Sequence, residues 1–182
     1  MFLRIVPVSI IPQRVLDMVQ SEIETVLRIK CRIMPKLAIP EDSFNRWRKQ
    51  HNAGTILTKL SSESAVKFID KSIPTVMLID SDLYYEGLNF VFSLENPTIS
   101  CFIVSIARMR PEFYDEKPDI NLLAERATKE VIHEIGHHLG LRHCTNMECV
   151  MCFSPSVGDI DAKQKYFCES CKISLMTMGV RL

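Results

Sequence analysis

The chain opens on an apolar run from Leu3 to Val8 and passes into PQRVLDMVQSEIETVLRI, where Val15, Met18, Val19, Ile23, Val26 and Leu27 recur at helical spacing. That change of period predicts a strand and then a helix, with Pro12 suited to the helix's first turn. CRIMPKLAI reads as a short second strand, and TILTKL, after a polar loop, as a third. From Thr75 the character is strongly that of strands: TVMLID is a buried-type apolar run, LNFVFSL is apolar and aromatic, and ISCFIVSIARM is another long β-rich segment. DSDLYYEG supplies a turn between the first two of these. RPEFYDEKPD is a polar loop with two prolines, and its last residue, Asp119, suits the N-cap of a long helix. That helix is predicted to run to about Leu139, with Leu123, Ala127, Val131, Ile135 and Leu139 on its buried face.

Past Gly140 the periodicity stops, and cysteines, methionines, Pro155 and Gly158 take over. The expectation is an α+β protein with an α/β-like upper lobe over residues 1–140 and a small irregular lobe over 141–182, held by metal in place of a second core. With 182 residues and 47% hydrophobic content, one domain spanning 1–182 is expected to bury roughly 70% of its unfolded surface.

Lys+Arg and Asp+Glu both number 22, so no global field draws the chain to polyanions or membrane surfaces, and no nucleic-acid partner is expected. Arg46, Trp47, Arg48 and Lys49 make a local basic-aromatic cluster, expected to be a solvated loop in a chain of zero net charge. The apolar N-terminus is broken by Arg4, Pro7 and Pro12 and lacks the build of a secretion signal. No stretch of about 18 apolar residues runs uninterrupted, so no membrane span is expected and the location is read as cytoplasmic. In that reducing setting, clustered cysteines point to metal more than to disulfides. Cys31 and Cys101, in apolar strand-like contexts, read as small core residues.

KEVIHEIGHHLGLRHCTNMECVMC, residues 129–152, holds four of the five histidines and three of the seven cysteines. His133 and His137 are one turn apart on the predicted helix, separated by about 40° around its axis, so both imidazoles reach one ion. In an HExxH helix the intervening Glu134 is placed as general base for a metal-bound water. On a continued helix His143 would lie about 240° around from His137, so the helix must end first. Gly140 is where it can, since glycine tolerates the left-handed conformation that turns a chain back. Three neutral imidazoles leave a fourth tetrahedral position for water, as in a catalytic zinc site, and the reaction implied is peptide-bond hydrolysis with Glu134 as base and then acid. These five fixed residues would coincide by chance on the order of once in 10⁵ chains of this size. His138 lies about 140° from His133 and is read as packing or solvent-facing.

Cys144-x4-Cys149 and Cys168-x2-Cys171 form two pairs with the spacing of a closed structural zinc site built from thiolates. Cys152 competes with Cys149 for one place. Because Cys144 follows His143 directly, fixing the sulfur site helps to fix the third imidazole.

HEIGHHLGLRHC, Cys149, Met151 after CV and the closing CESC together resemble the archaemetzincins, a family within the metzincin clan of zinc peptidases. The spacer between Met151 and Cys168 is one residue shorter here than in the family pattern. The resemblance implies a mixed β-sheet with two main helices over a zinc cleft, a small C-terminal lobe bracing a structural zinc, and Met151 as the Met-turn residue under the catalytic ion. DLYYEGLNFVF looks like the family's edge-strand region, beside which a peptide adds as a further strand. FNRWRKQH looks like a family segment ending R-G-Q-Y, with Lys49 and His51 replacing Gly and Tyr. Where some metzincins carry a tyrosine after the Met-turn, this chain has Phe153, so no tyrosine ligand is expected.

The sequence therefore predicts a monomeric peptidase with two zinc ions, a catalytic one on His133, His137 and His143 and a structural one on Cys144, Cys149, Cys168 and Cys171. Glu134 is its catalytic residue, and small peptides or accessible chain ends are its substrates. The alternative is a non-catalytic, zinc-stabilised protein-binding module.

Overall fold

Every position of the first strand from Leu3 to Val8 is buried, as in a strand covered on both faces. In the computed structural model, which describes residues 2–62 and 73–180, this strand β1 (Phe2–Val8) lies inside a five-stranded sheet. It pairs in parallel with β2 (Lys30–Ile33) on one side and with β5 (Thr75–Ile79) on the other. β8 (Cys101–Ser105) continues the parallel set, and β7 (Ser93–Asn96) runs antiparallel to it at the sheet's end, giving the order β2-β1-β5-β8-β7. A smaller sheet joins β3 (Phe44–Asn45), β4 (Gln50–Asn52) and β6 (Leu83–Tyr84).

Strand alternation sorts the core into two layers. Leu3, Ile5, Val76, Leu78, Phe102 and Val104 face α1 (Gln13–Leu27) and α3 (Ile120–His138), which pack on each other. Val6, Val8, Met77, Ile79, Cys101 and Ile103 face the opposite way, onto α2 (Ala53–Ser62). Cys31 and Cys101 are both buried within these layers.

The expectation of a strand over TILTKL is not met: the segment lies in α2. Asn52 accepts the Thr55 amide at 2.9 Å and starts the helix, and Ile56, Leu57 and Leu60 lie buried along one face. Burying three such side chains contributes about 1.5–3 kcal/mol each. The helix propensity lost at two threonines and an isoleucine is at most about 0.7 kcal/mol per residue, so burial decides. LNFVFSL is also only partly a strand, because β7 begins at Ser93 and Leu88–Phe92 is irregular. Likewise only Cys101–Ser105 of ISCFIVSIARM is extended.

Asp119 caps α3 as its sequence predicts, accepting the amides of Asn121 at 2.9 Å and Leu122 at 3.0 Å. At the other end Gly140, with φ +96°, donates to the His137 carbonyl while Leu141 donates to that of Gly136. This double closure needs a left-handed residue at position 140. The C-terminal part carries two helices, α4 (Val157–Ala162) and α5 (Glu169–Thr177). Its Val150, Met151, Ile160, Phe167 and Leu175 join the core layer of α1 and α3. Among the described residues no helix is long and apolar enough to cross a membrane.

Candidate active site

His133 and His137 project from the last turns of α3, and the reversal at Gly140 brings His143 back to them. One nitrogen from each ring lies within 4.8 Å of its counterparts on the other two. The His133 Nδ1–H donates to the Val150 carbonyl at 2.8 Å, and the His137 Nδ1–H to the Leu141 carbonyl at 2.9 Å. Carbonyls only accept, so each neutral ring turns a bare Nε2 inward, and these two Nε2 atoms are 3.0 Å apart. Two lone pairs facing at that distance repel unless a cation lies between them. Burial, with help from the Lys163 charge, pushes the His133 imidazole down to about 3, keeping it neutral and available as a donor. The donor set thus fits a divalent zinc.

Glu134 lies beside this triad, 5% exposed. Burial pushes its carboxyl up to about 8, against the opposing pull of a 2.5 Å hydrogen bond from the Ser93 hydroxyl. His138 sits off the triad, its Nδ1 3.5 Å from Glu95 Oε1.

A second cluster forms where the C-terminal loops meet. The sulfurs of Cys144, Cys149, Cys168 and Cys171 all lie within 4.8 Å of one another. The Cys168 amide donates to Cys149 Sγ at 3.3 Å, and the Asn146 amide to Cys144 Sγ at 3.4 Å, as suits thiolates. Cys152 is not among them, its Sγ facing the Phe153 carbonyl. Four close thiolates repel one another without a cation, so this set also fits zinc, with no place left for water.

Between the clusters, Met151 is fully buried beneath Gly136, where a Cβ would collide with its sulfur and touch Phe167. The glycine inside HEIGH is therefore a space requirement. The triad and Glu134 open into a cleft of about 420 Å³, with Tyr85–Leu94 as one wall and Phe153–Pro155 as the other.

The first wall is held from the β3–β4 hairpin. Arg48 donates to the carbonyls of Leu88 and Asn89, both at 2.9 Å, and Gln50 donates to the Asn89 carbonyl and to Asp82, both at 3.0 Å. Arg108 pairs with Asp82 at 2.7 Å and lies 4.2 Å over the Phe90 ring. Those captured carbonyls account for the irregular path at Leu88 and Asn89, while the Val91 amide and the Phe92 carbonyl still bond to Leu83 and Ser105. Lys49, where the family pattern has glycine, takes φ +54°. Arg46, Trp47, Arg48 and Lys49 are all exposed, and it is the Arg48 guanidinium that binds the cleft wall.

Residues 7–177 match the sequence profile of peptidase family M54. The chain belongs to that family, the archaemetzincins. It is 37% identical over 172 residues to the archaemetzincin of Pyrococcus furiosus, covering 92% of this chain and 88% of that one. With the archaemetzincin of Methanocaldococcus jannaschii it shares 38% over 179 residues, 96% and 92% of the two chains. The crystal structure of a zinc-dependent peptidase from Methanocorpusculum labreanum superposes with a TM-score of 0.85 at 30% identity, covering 95% of this chain and 99% of that one. The archaemetzincin structure from Methanopyrus kandleri gives 0.83 at 31%, over 100% and 96%. As a family M54 member the chain is a zinc metallopeptidase, a hydrolase acting on peptides, on a mixed α+β fold.

Ser93, Gln50, Lys163 and Glu130 belong to no metal motif although they bear on the site, and Arg48 reads from the sequence as part of a solvated basic loop. Arg48 and Gln50 carry the one available signal, as the two residues of RKQH that keep the R-G-Q-Y pattern.

Proposed function

We propose that the chain hydrolyses peptide bonds at the three-histidine cleft, with Glu134 as general base and acid and with two zinc ions in different jobs. His133, His137 and His143 hold the catalytic ion, and Cys144, Cys149, Cys168 and Cys171 hold a structural one. When bound, the catalytic ion polarises a substrate carbonyl and acidifies a water. Glu134 accepts the proton of the attacking water and passes it to the leaving amine. Its buried setting, which favours the protonated form, suits the second of these steps. Met151 is the Met-turn residue, an apolar floor fitted under Gly136.

The peptide lies extended beside β7, whose outer edge is unpaired among the described residues. A cleft of about 420 Å³ holds a few side chains and excludes a folded domain, which favours small peptides and accessible chain ends. Free thiolates at a sulfur site suit a cytoplasmic setting.

The observation that carries this reading is the inward facing of two bare imidazole nitrogens beside a buried carboxyl in an open cleft. Metal analysis joined to mass-spectrometric screening of a peptide library tests it. Wild type is expected to hold two zinc ions and cleave. Glu134→Ala is expected to hold both and lose about 10²–10⁴ in rate. Undiminished cleavage by Glu134→Ala would show that another group moves the proton.

A further inference from the structure

The turn Cys149–Cys152 has a named donor on each of its four successive carbonyls. Cys149 takes the Cys152 amide, Val150 the His133 ring, Met151 the Cys144 amide, and Cys152 the Lys163 ammonium at 3.3 Å beside the hydroxyl of the nearby Ser154 at 3.4 Å. The first three bonds lie within or between the two metal-binding clusters. The fourth comes from a side chain that no metal motif explains.

Lys163 is fully buried, and its Nζ is 2.7 Å from Glu130 Oε1, on a side chain 5% exposed. Glu130 lies on α3 one turn before Glu134 and lines the cleft. A charge pair withdrawn from water this completely is weak evidence for a stability role, because well-packed apolar residues often serve as well. Its placement is specific in another way. One helical turn earlier, Arg126 grips Asp161 through two bonds of 2.7 and 2.6 Å, so α4 is docked on α3 and Lys163, at its C-terminal end, is aimed at the turn. Among the described residues, Lys163 is the group that ties the last carbonyl of this turn to α3.

We propose that Lys163, held by Glu130, is a positioning residue for the three-histidine site: it fixes the Cys149–Cys152 turn, and the turn's Val150 carbonyl orients the His133 imidazole. The inference rests on the proposed zinc ligation and adds two residues to it. Partners that orient a ligating histidine typically contribute 10–100-fold in metal affinity or activity.

The test is zinc release to a colorimetric chelator, with the imidazole-site phase identified by its loss in His137→Ala. Glu130→Gln/Lys163→Met removes both charges while keeping both side-chain shapes, and Glu130→Leu/Lys163→Met is the second variant in case the first does not fold. The expected result is an imidazole-site phase about tenfold faster, an unchanged sulfur-site phase, an unchanged melting temperature in the zinc-free protein, and cleavage that recovers as free zinc is raised. Release at the wild-type rate from a folded variant would overturn the proposal and leave the pair as packing. Identical release from wild type and His137→Ala would mean that the histidines hold no zinc, and would overturn the ligation and this inference together.

Discussion

Ser93 donates its hydroxyl to Glu134 Oε1 across 2.5 Å, joining the edge strand of the sheet to the carboxyl of the HExxH helix. The strand that would receive the peptide thereby aims the group that would move its proton. Ser93→Ala is expected to keep both zinc ions and lower kcat about tenfold, the equivalent of about 1.4 kcal/mol, within the range of a single hydrogen bond. Steady-state kinetics beside metal analysis decides it, and an unchanged kcat refutes the aiming role.

Gly136→Ala places a methyl group against the Met151 sulfur. Overpacking of this kind destabilises by about 1–3 kcal/mol, and each kcal/mol lowers the melting temperature of a chain this long by about 2–4 °C. Calorimetry of the zinc-loaded variant measures the loss. Gly136→Ala is expected to cost less in a Met151→Ala background than in the wild type, because the truncation makes room, and an effect of helix propensity alone would not give that coupling.

Arg48→Ala frees the carbonyls of Leu88 and Asn89 and so loosens one wall of the cleft. KM is expected to rise about tenfold with kcat nearly unchanged, as for the loss of uniform binding. Arg48→Lys can keep one of the two bonds and is expected to fall between. A fall in kcat with constant KM would place Arg48's influence on the chemical step instead.

The seven thiols are expected to differ in reactivity. Burial, reinforced by Glu24, pushes Cys31 up to about 12, and burial raises Cys101 as well, so at pH 8 both remain protonated and unreactive. Cys152 lies outside the sulfur cluster and is only partly buried. Iodoacetamide followed by peptide mass spectrometry should find Cys152 labelled first in zinc-loaded protein, with the cluster cysteines following only after chelation. Early labelling of Cys149 with protection of Cys152 would exchange their assignments.

What the sequence made legible was local. Asp119 as a cap, the α3 face and the turn at Gly140 all depend on neighbours within a few residues, where helical geometry leaves one solution. TILTKL reads as a strand because its apolar face has three positions and the segment holds three β-branched residues, Thr55, Ile56 and Thr58, so its helical character emerges only against the sheet face it covers. Ser93 meets Glu134 across 41 residues and Arg48 meets Leu88 across 40, and no spacing rule reaches that far. The four cysteines were named from their spacing, while the distance of Cys152 from them needed the folded loop.

The four consecutive carbonyls of the Cys149–Cys152 turn have a consequence for assembly. Cys144 closes one of them with its amide while its sulfur sits in the thiolate cluster, so an ion arriving at sulfur organises the chain that the histidines lean on. With zinc in both clusters as proposed, the sulfur-site ion would order the turn on which His133 rests, so losing that one ion would loosen both sites at once.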